Sequence, residues 1–249
     1  MRFRPCIDLH NGRVKIMTEA GLTGETTPPM QDASFYAAWS AMHGYQDGFL
    51  MLHNRDRDPI FEKTFAEAKK VLFARPDIWN VGGKMTPEIA EQVLSLGARK
   101  AVFGSYVFRA GGPDMERLNR IVSAFGKERI ILHLRLVRRD SSYYLLSGAL
   151  DHGTSLQITE EVLTRFSAFC SQMVVEIPLQ EGRPALDAGL VLMLAKWNRM
   201  PVTYLRCIES ESDLNLLEQM GQERIDFSVG RALSLYGGDM PEHLLSYYV

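Results

Sequence analysis

The sequence predicts a single (β/α)8 barrel of the TIM type, spanning 1–249 and built from two half-barrels. Three observations predict it: eight short apolar runs, amphipathic stretches between them, and a faint repeat at half the chain length. The chain has 249 residues, 46% of them hydrophobic and 23% charged, which is ordinary globular composition and enough for one large core.

The strand-like runs, in order, are Phe3–Leu9, Gly48–Leu52, Ile78–Val81, Ala101–Phe103, Ile130–Leu136, Met173–Ile177, Val202–Leu205 and Ile225–Val229. Between them the apolar spacing is helical. Phe61–Phe73 puts Phe61, Phe65, Ala68 and Leu72 on one face. Pro87–Leu96 groups Ile89, Val93 and Leu96, with Thr86 as its N-cap and Gly97 as its stop. Leu190–Trp197 is apolar at helical spacing and belongs to the core. Asp213–Met220 repeats the earlier design, with Ser212 as cap and Gly221 as stop. Gly97 and Gly221 stand 124 positions apart, and Asp8 and His133 stand 125 apart. Half of the chain is therefore the repeat length. The rival architecture is a doubly wound open sheet, but no Gly-x-Gly-x-x-Gly follows the first run.

Composition narrows the function classes. A formal net charge of −2 gives no basic excess for nucleic acid. No run approaches the ~18 apolar residues of a membrane span, and MRFRPCIDLH lacks the apolar core of a secretory signal. Three distant cysteines (Cys6, Cys170, Cys207) argue against a disulfide framework and a Cys-x-x-Cys metal site. The expectation is a cytoplasmic monomer acting on a small molecule.

In such a barrel, chemistry sits at the C-terminal strand ends. Asp8 lies inside an apolar run there, so it is either a general base or one half of an ion pair, for example with Lys15. Val81-Gly82-Gly83-Lys84 and Gly104-Ser105 follow the third and fourth runs, and adjacent glycine loops of this kind suit a phosphate clamp. Gly230-Arg231 follows the eighth run and Arg206-Cys207 ends the seventh. Arg206 either meets an anion or fills the pocket. His133, on the fifth run, is a proton donor or a satisfied core histidine. Arg135, Arg138 and Arg139 suit a solvated strand edge, and His53-Asn54-Arg55-Asp56 points in too many directions for a metal cluster.

These residues carry a resemblance. CIDLHNGRVK at Cys6–Lys15, GLTGE at Gly21–Glu25, VGG at Val81–Gly83, Arg129–Leu134 after FGKE, and LYGG at Leu235–Gly238 resemble the ProFAR isomerase of histidine biosynthesis, in its eukaryotic-type branch. The likeness runs in order from Phe3 to the C-terminus. It implies a barrel of two half-barrels and an Amadori rearrangement of a phosphorylated aminoaldose to its aminoketose. Each half-barrel holds one phosphate, and neither metal nor organic cofactor takes part. It implies Asp8 as the base and Gly82, Gly83, Gly104 and Ser105 as the first phosphate grip. Gly230 belongs to the second grip, and Glu181-Gly182 is a substrate-contacting pair after the sixth strand. The chain departs from the family at three places: His133 replaces an aspartate, Arg206-Cys207 replaces Gly-Gly, and Arg231 replaces Ser or Thr. On an altered second grip, Arg206 and Arg231 would hold the anion. The sixth strand lacks the family's polar residues before its loop, and Gly21–Gln31 has the composition of a mobile lid. Besides the isomerase, the residues leave open an enzyme for another phosphorylated ligand and a non-catalytic binding protein.

Overall fold

The structure, a computed structural model, describes residues 1–22, 31–110, 112–147, 152–180 and 186–249. Gly21–Gln31 therefore lies largely outside the described residues, and Glu181 and Gly182 lie wholly outside them.

All eight expected runs form parallel strands: β1 (Cys6–His10), β2 (Gly48–Leu52), β3 (Trp79–Gly83), β4 (Lys100–Phe103), β5 (Ile130–Arg139), β6 (Gln172–Glu176), β7 (Val202–Ile208) and β8 (Ile225–Val229). They hydrogen-bond in sequence order, each to the next. The cylinder closes just ahead of β1, where Phe3 bridges Phe227 in parallel. Arg4 N–H donates to Phe227 O at 2.7 Å, and Phe227 N–H donates to Arg2 O at 3.0 Å. Below the seam, Arg4 ties Asp226 at 2.6 Å and Asp47 at 3.1 Å. The first run thus starts late as a ladder, because its leading residues serve the closure.

The strands alternate between two apolar environments. Cys6, Phe49, Met51, Val102, Ile131, Val174 and Leu205 pack together inside the cylinder. The opposite faces meet the helices in a larger cluster that includes Ile7, Leu50, Val81, Leu132 and Val175. Burial on both faces is what makes these strands continuous apolar runs.

Seven α-helices are described: α1 (Ala33–Met42), α2 (Phe61–Ala74), α3 (Pro87–Ser95), α4 (Met115–Phe125), α5 (Glu160–Phe166), α6 (Ala188–Trp197) and α7 (Glu211–Gly221). A 3-10 segment, Glu242–Tyr247, follows β8. Side-chain caps start six of the seven: Asp32, Thr86, Asp114, Thr159, Asp187 and Ser210 each accept an N–H of the first turn. On α2 the expected face, Phe61, Phe65, Ala68 and Leu72, is buried. The cap of α7 is Ser210, not Ser212, because Asp213 accepts from the Ser210 N–H and closes a capping box. Gly221 is the last helical residue, and Gln222 takes the left-handed conformation beyond it. Thr86 and Ser210 begin α3 and α7, and both helices follow strands four apart in the cylinder.

The fifth strand runs farther than expected. β5 continues to Arg139 and turns back as a hairpin with Ser142–Ser147, which pairs in turn with His152–Gln157. The three arginines of this edge have partners or neighbours. Arg135 lies 3.5 Å from Glu176, Arg138 lies 3.2 Å from Asp187, and Arg139 stacks over Tyr144.

Candidate active site at the barrel mouth

The inward face carries apolar side chains through the middle of the cylinder and changes character one pleat higher. Two residues beyond Cys6, Met51, Val102, Ile131 and Val174 stand Asp8, His53, Gly104, His133 and Glu176. Period-two alternation sends each of them inward. They ring the C-terminal mouth, where a cavity of about 370 Å³ opens. Its lining includes His53, Gly83, Ser105, His133, Glu176 and Arg206.

Strand β7 breaks the rule. Between the pairs Tyr204–Phe227 and Ile208–Val229, three residues of β7 face the single residue Ser228 of β8. Arg206, at the centre of this bulge, has φ +55°, in the left-handed region. Its N–H donates to Ser228 Oγ at 2.8 Å. The bulge turns the Arg206 side chain inward and leaves Cys207 in the outer core. The left-handed backbone suits the glycine that the resemblance implies at this position.

The Arg206 guanidinium spans the mouth. One nitrogen donates to Asp8 Oδ1 at 2.5 Å, and the other donates to Glu176 Oε1 at 2.9 Å. All three side chains are at most 9% exposed. Of the two roles open to Arg206, filling the pocket is the one its contacts describe. The ion-pair partner of Asp8 is a residue nearly 200 positions away in sequence. Burial, the largest single influence, would raise the Asp8 pKa, but the charges and hydrogen bonds of Arg206 and His53 together outweigh it. The carboxyl is held below its ordinary value. The same balance holds for Glu176, where Arg206 and His133 overcome burial. The Cys6 thiol, beneath Asp8, is pushed far up by burial and is no nucleophile.

Each carboxylate also has an imidazole neighbour. His53 Nε2 lies 2.7 Å from Asp8 Oδ1. His133 Nε2 lies 3.0 Å from Glu176 Oε2, off the line of a hydrogen bond, and is otherwise buried without a partner. Among the described residues, no three His, Cys, Asp or Glu side chains are placed to hold a metal ion.

The glycines of β3 and β4 divide by position. A Cβ on Gly82 would come within 2.8 Å of Val102 Cβ and 2.9 Å of Met51 Sδ, so this residue is small because the interior is full. Gly83 has φ +101°, and a Cβ there would lie 2.0 Å from the Leu52 carbonyl oxygen. Gly104 begins a tight turn whose carbonyl accepts from Val107 and Phe108 N–H. The N–H groups of Ser105 and Tyr106 donate to no described residue. On the far rim, Arg231 is held by Glu209 at 2.5 Å and by Glu19. Gly230 packs over the Arg206 side chain, where its Cβ would stand 3.5 Å from Arg206 Cγ.

The structure therefore brings Asp8, His133, Arg206, Gly83, Gly104 and Ser105 to one mouth. It sets Gly82 deeper and Arg231 on the rim. Two mouth residues escaped the sequence reading. Glu176 is the one polar residue of the sixth run, which lacks the family's polar residues before its loop, and His53 stands in a cluster whose side chains point in too many directions for a metal site. The signal for both was the alternation of Val174 with Glu176 and of Met51 with His53.

No protein-family model matches the chain. Whole-length comparison is more informative. The chloroplastic phosphoribosyl imidazole carboxamide isomerase (ProFAR isomerase) of Medicago truncatula is 28% identical over 256 residues, covering 96% of this chain and 79% of its own. The isomerases of Neurospora crassa and Yarrowia lipolytica are each 26% identical, covering 95% and 96% of this chain and 93% of their own. The resemblance carried by the motifs is thus a resemblance of the whole chain, which is similar from end to end to the ProFAR isomerases of plants and fungi.

Proposed function

We propose that this protein is a sugar-phosphate isomerase of the ProFAR type. It converts a phosphorylated aminoaldose to the aminoketose by Amadori rearrangement, as a cytoplasmic monomer without metal or organic cofactor. The observation that carries this reading is the arrangement of the mouth. Asp8 on β1 and His133 on β5 occupy opposite walls, beside a turn with two N–H groups that no described residue accepts. The Asp8 wall supplies the basic function and the His133 wall the acidic one. Gly83, Gly104 and Ser105 receive a phosphate on backbone N–H groups and a hydroxyl, with Gly82 giving Gly83 room to approach. Glu181 and Gly182 contact the substrate from the loop after β6. The isomerase names of the relatives support the same reaction.

The test is direct. Purified protein is mixed with ProFAR and the aminoketose is followed. In parallel, the gene is introduced into a histidine auxotroph lacking the isomerase. Turnover and growth are expected, both abolished by Asp8→Asn. Well-expressed protein giving neither would remove the reading.

One observation favours a second reading, an enzyme or binding protein for a ligand with a single phosphate. Arg206 and Arg231, the cations expected to take the second anion, are already paired with four carboxylates. For two-phosphate binding, Arg206, Gly230 and Arg231 must exchange these carboxylates for the ligand. Calorimetry with ProFAR and with ribose 5-phosphate separates the two: equal affinity favours the second reading.

A further inference from the structure

Asp8 is not among the residues that line the mouth cavity, whereas His53 is. The carboxylate lies behind two donors that share its Oδ1, His53 Nε2 at 2.7 Å and Arg206 at 2.5 Å. An ionised carboxylate only accepts, so His53 carries its proton on Nε2. The lone pair of the neutral ring is then on Nδ1. No described residue bonds that nitrogen.

The opposite wall repeats this pairing with the roles exchanged. On β1 and β2 the carboxylate comes first and the imidazole second. On β5 and β6 the imidazole, His133, comes first and the carboxylate, Glu176, second. Arg206 joins the two carboxylates between them. Both walls therefore present an imidazole to the cavity with a carboxylate beside it, Asp8 lying behind His53 and Glu176 lining the cavity next to His133.

We propose that His53 is a catalytic residue of this site, taking the sugar C2 proton on Nδ1, with Asp8 as the positioning carboxylate that fixes its tautomer. The inference rests on the isomerase reading and deepens it. His133, as imidazolium, gives its proton to the ring oxygen while the C1–O bond breaks and the amine nitrogen forms a C1=N bond. His53 then removes the proton from C2. The C2–H electron pair becomes the C1=C2 bond, and the C1=N pair returns to nitrogen. The His53 imidazolium delivers that proton to C1. The C2 hydroxyl loses its own proton to His133 as the C2=O bond forms. Both imidazoles end as they began, and no co-reactant is consumed.

The experiment is a double-mutant cycle on turnover of ProFAR, using His53→Gln, Asp8→Asn and the two combined. Loss of a positioned base costs about 100-fold or more in rate. Each single variant is expected to lose at least that in kcat, with KM within about threefold of the parent. The combined variant should lose no more than the worse single one, since groups that act as a unit are not additive. His53→Gln with near-normal kcat, or losses that multiply in the combined variant, would overturn the proposal. A parent protein inert toward ProFAR would instead sink the isomerase reading, and the His53 role with it. Should His53→Gln fail to fold, imidazole nitrogen NMR of the parent protein decides. A shift at His53 Nδ1 on adding ProFAR supports the proposal, and protonation of Nδ1 rather than Nε2 overturns it.

Discussion

Arg206 is the residue on which the electrostatics of the mouth turn. Removing it leaves Asp8 and Glu176 as buried carboxylates beside one imidazole each and, for Glu176, Arg135. Breaking a buried pair from one side typically costs about 3 kcal/mol or more. Arg206→Met is therefore expected to lower the melting temperature at pH 7 by about 10 °C, at 2–4 °C per kcal/mol for a chain of this size. The pH dependence has a definite sign. Both carboxyls have folded-state pKa values below their ordinary ones. Their contribution to stability is thus complete above about pH 5 and is lost as pH falls toward the folded values. The gap between parent and Arg206→Met should narrow between pH 5 and pH 2, as thermal unfolding would register. A constant gap would mean that the ionised carboxylates of the bridge are not its source.

At the scale of the element, β7 shows what a sequence hides. Asp8, His133 and the glycine turns were legible because strand alternation and the strand-end rule place them without further knowledge. Glu176 and His53 obey the same alternation, so they were readable too. What concealed Glu176 was its single polar side chain in an apolar run, and His53 was lost among polar neighbours. Arg206 is different. Alternation from Leu205 points Cys207 inward, and only a bulge against Ser228 puts Arg206 there instead. Nothing local announces that bulge; it depends on the register with β8. The left-handed backbone at Arg206 gives a separable expectation. Non-glycine residues in strained conformations cost about 1 kcal/mol or more. Arg206→Gly should thus melt a few degrees above Arg206→Met, although both lose the ion pairs. An equal melting temperature would place no strain at the bulge. Gly83 supplies the converse case: any Cβ must displace the Leu52 carbonyl, which also accepts Lys84 N–H at 2.8 Å. Gly83→Ala is expected to separate the ends of β2 and β3 and cost about 2 kcal/mol or more. A melting curve matching the parent's would contradict this.

For the whole molecule, closure is the decisive event, and the eight runs forecast the strands but not the seam. The seam lies in residues 2–4 and 227, outside the regular part of β1, and only pairing between the two ends of the chain defines it. Arg4 anchors it from below, 7% exposed and tied to both Asp226 and Asp47. Arg4→Ala removes the shared cation and is expected to cost about 3 kcal/mol, seen as a lower midpoint in a denaturant titration. A change under about 0.5 kcal/mol would mean that Phe3 and Phe227 hold the joint unaided.

That joint also sets when the protein can begin to work. Asp8 leaves the ribosome more than two hundred residues ahead of Phe227, yet β1 has no neighbour on its β8 side until both exist. During synthesis the Asp8 carboxylate therefore waits on an open sheet edge. The guanidinium that will bridge it to Glu176 emerges only some twenty residues before the closing strand. A nascent chain shorter than that contains all of the first glycine turns and none of the assembled charge bridge, so the protein becomes competent only once β8 has been made.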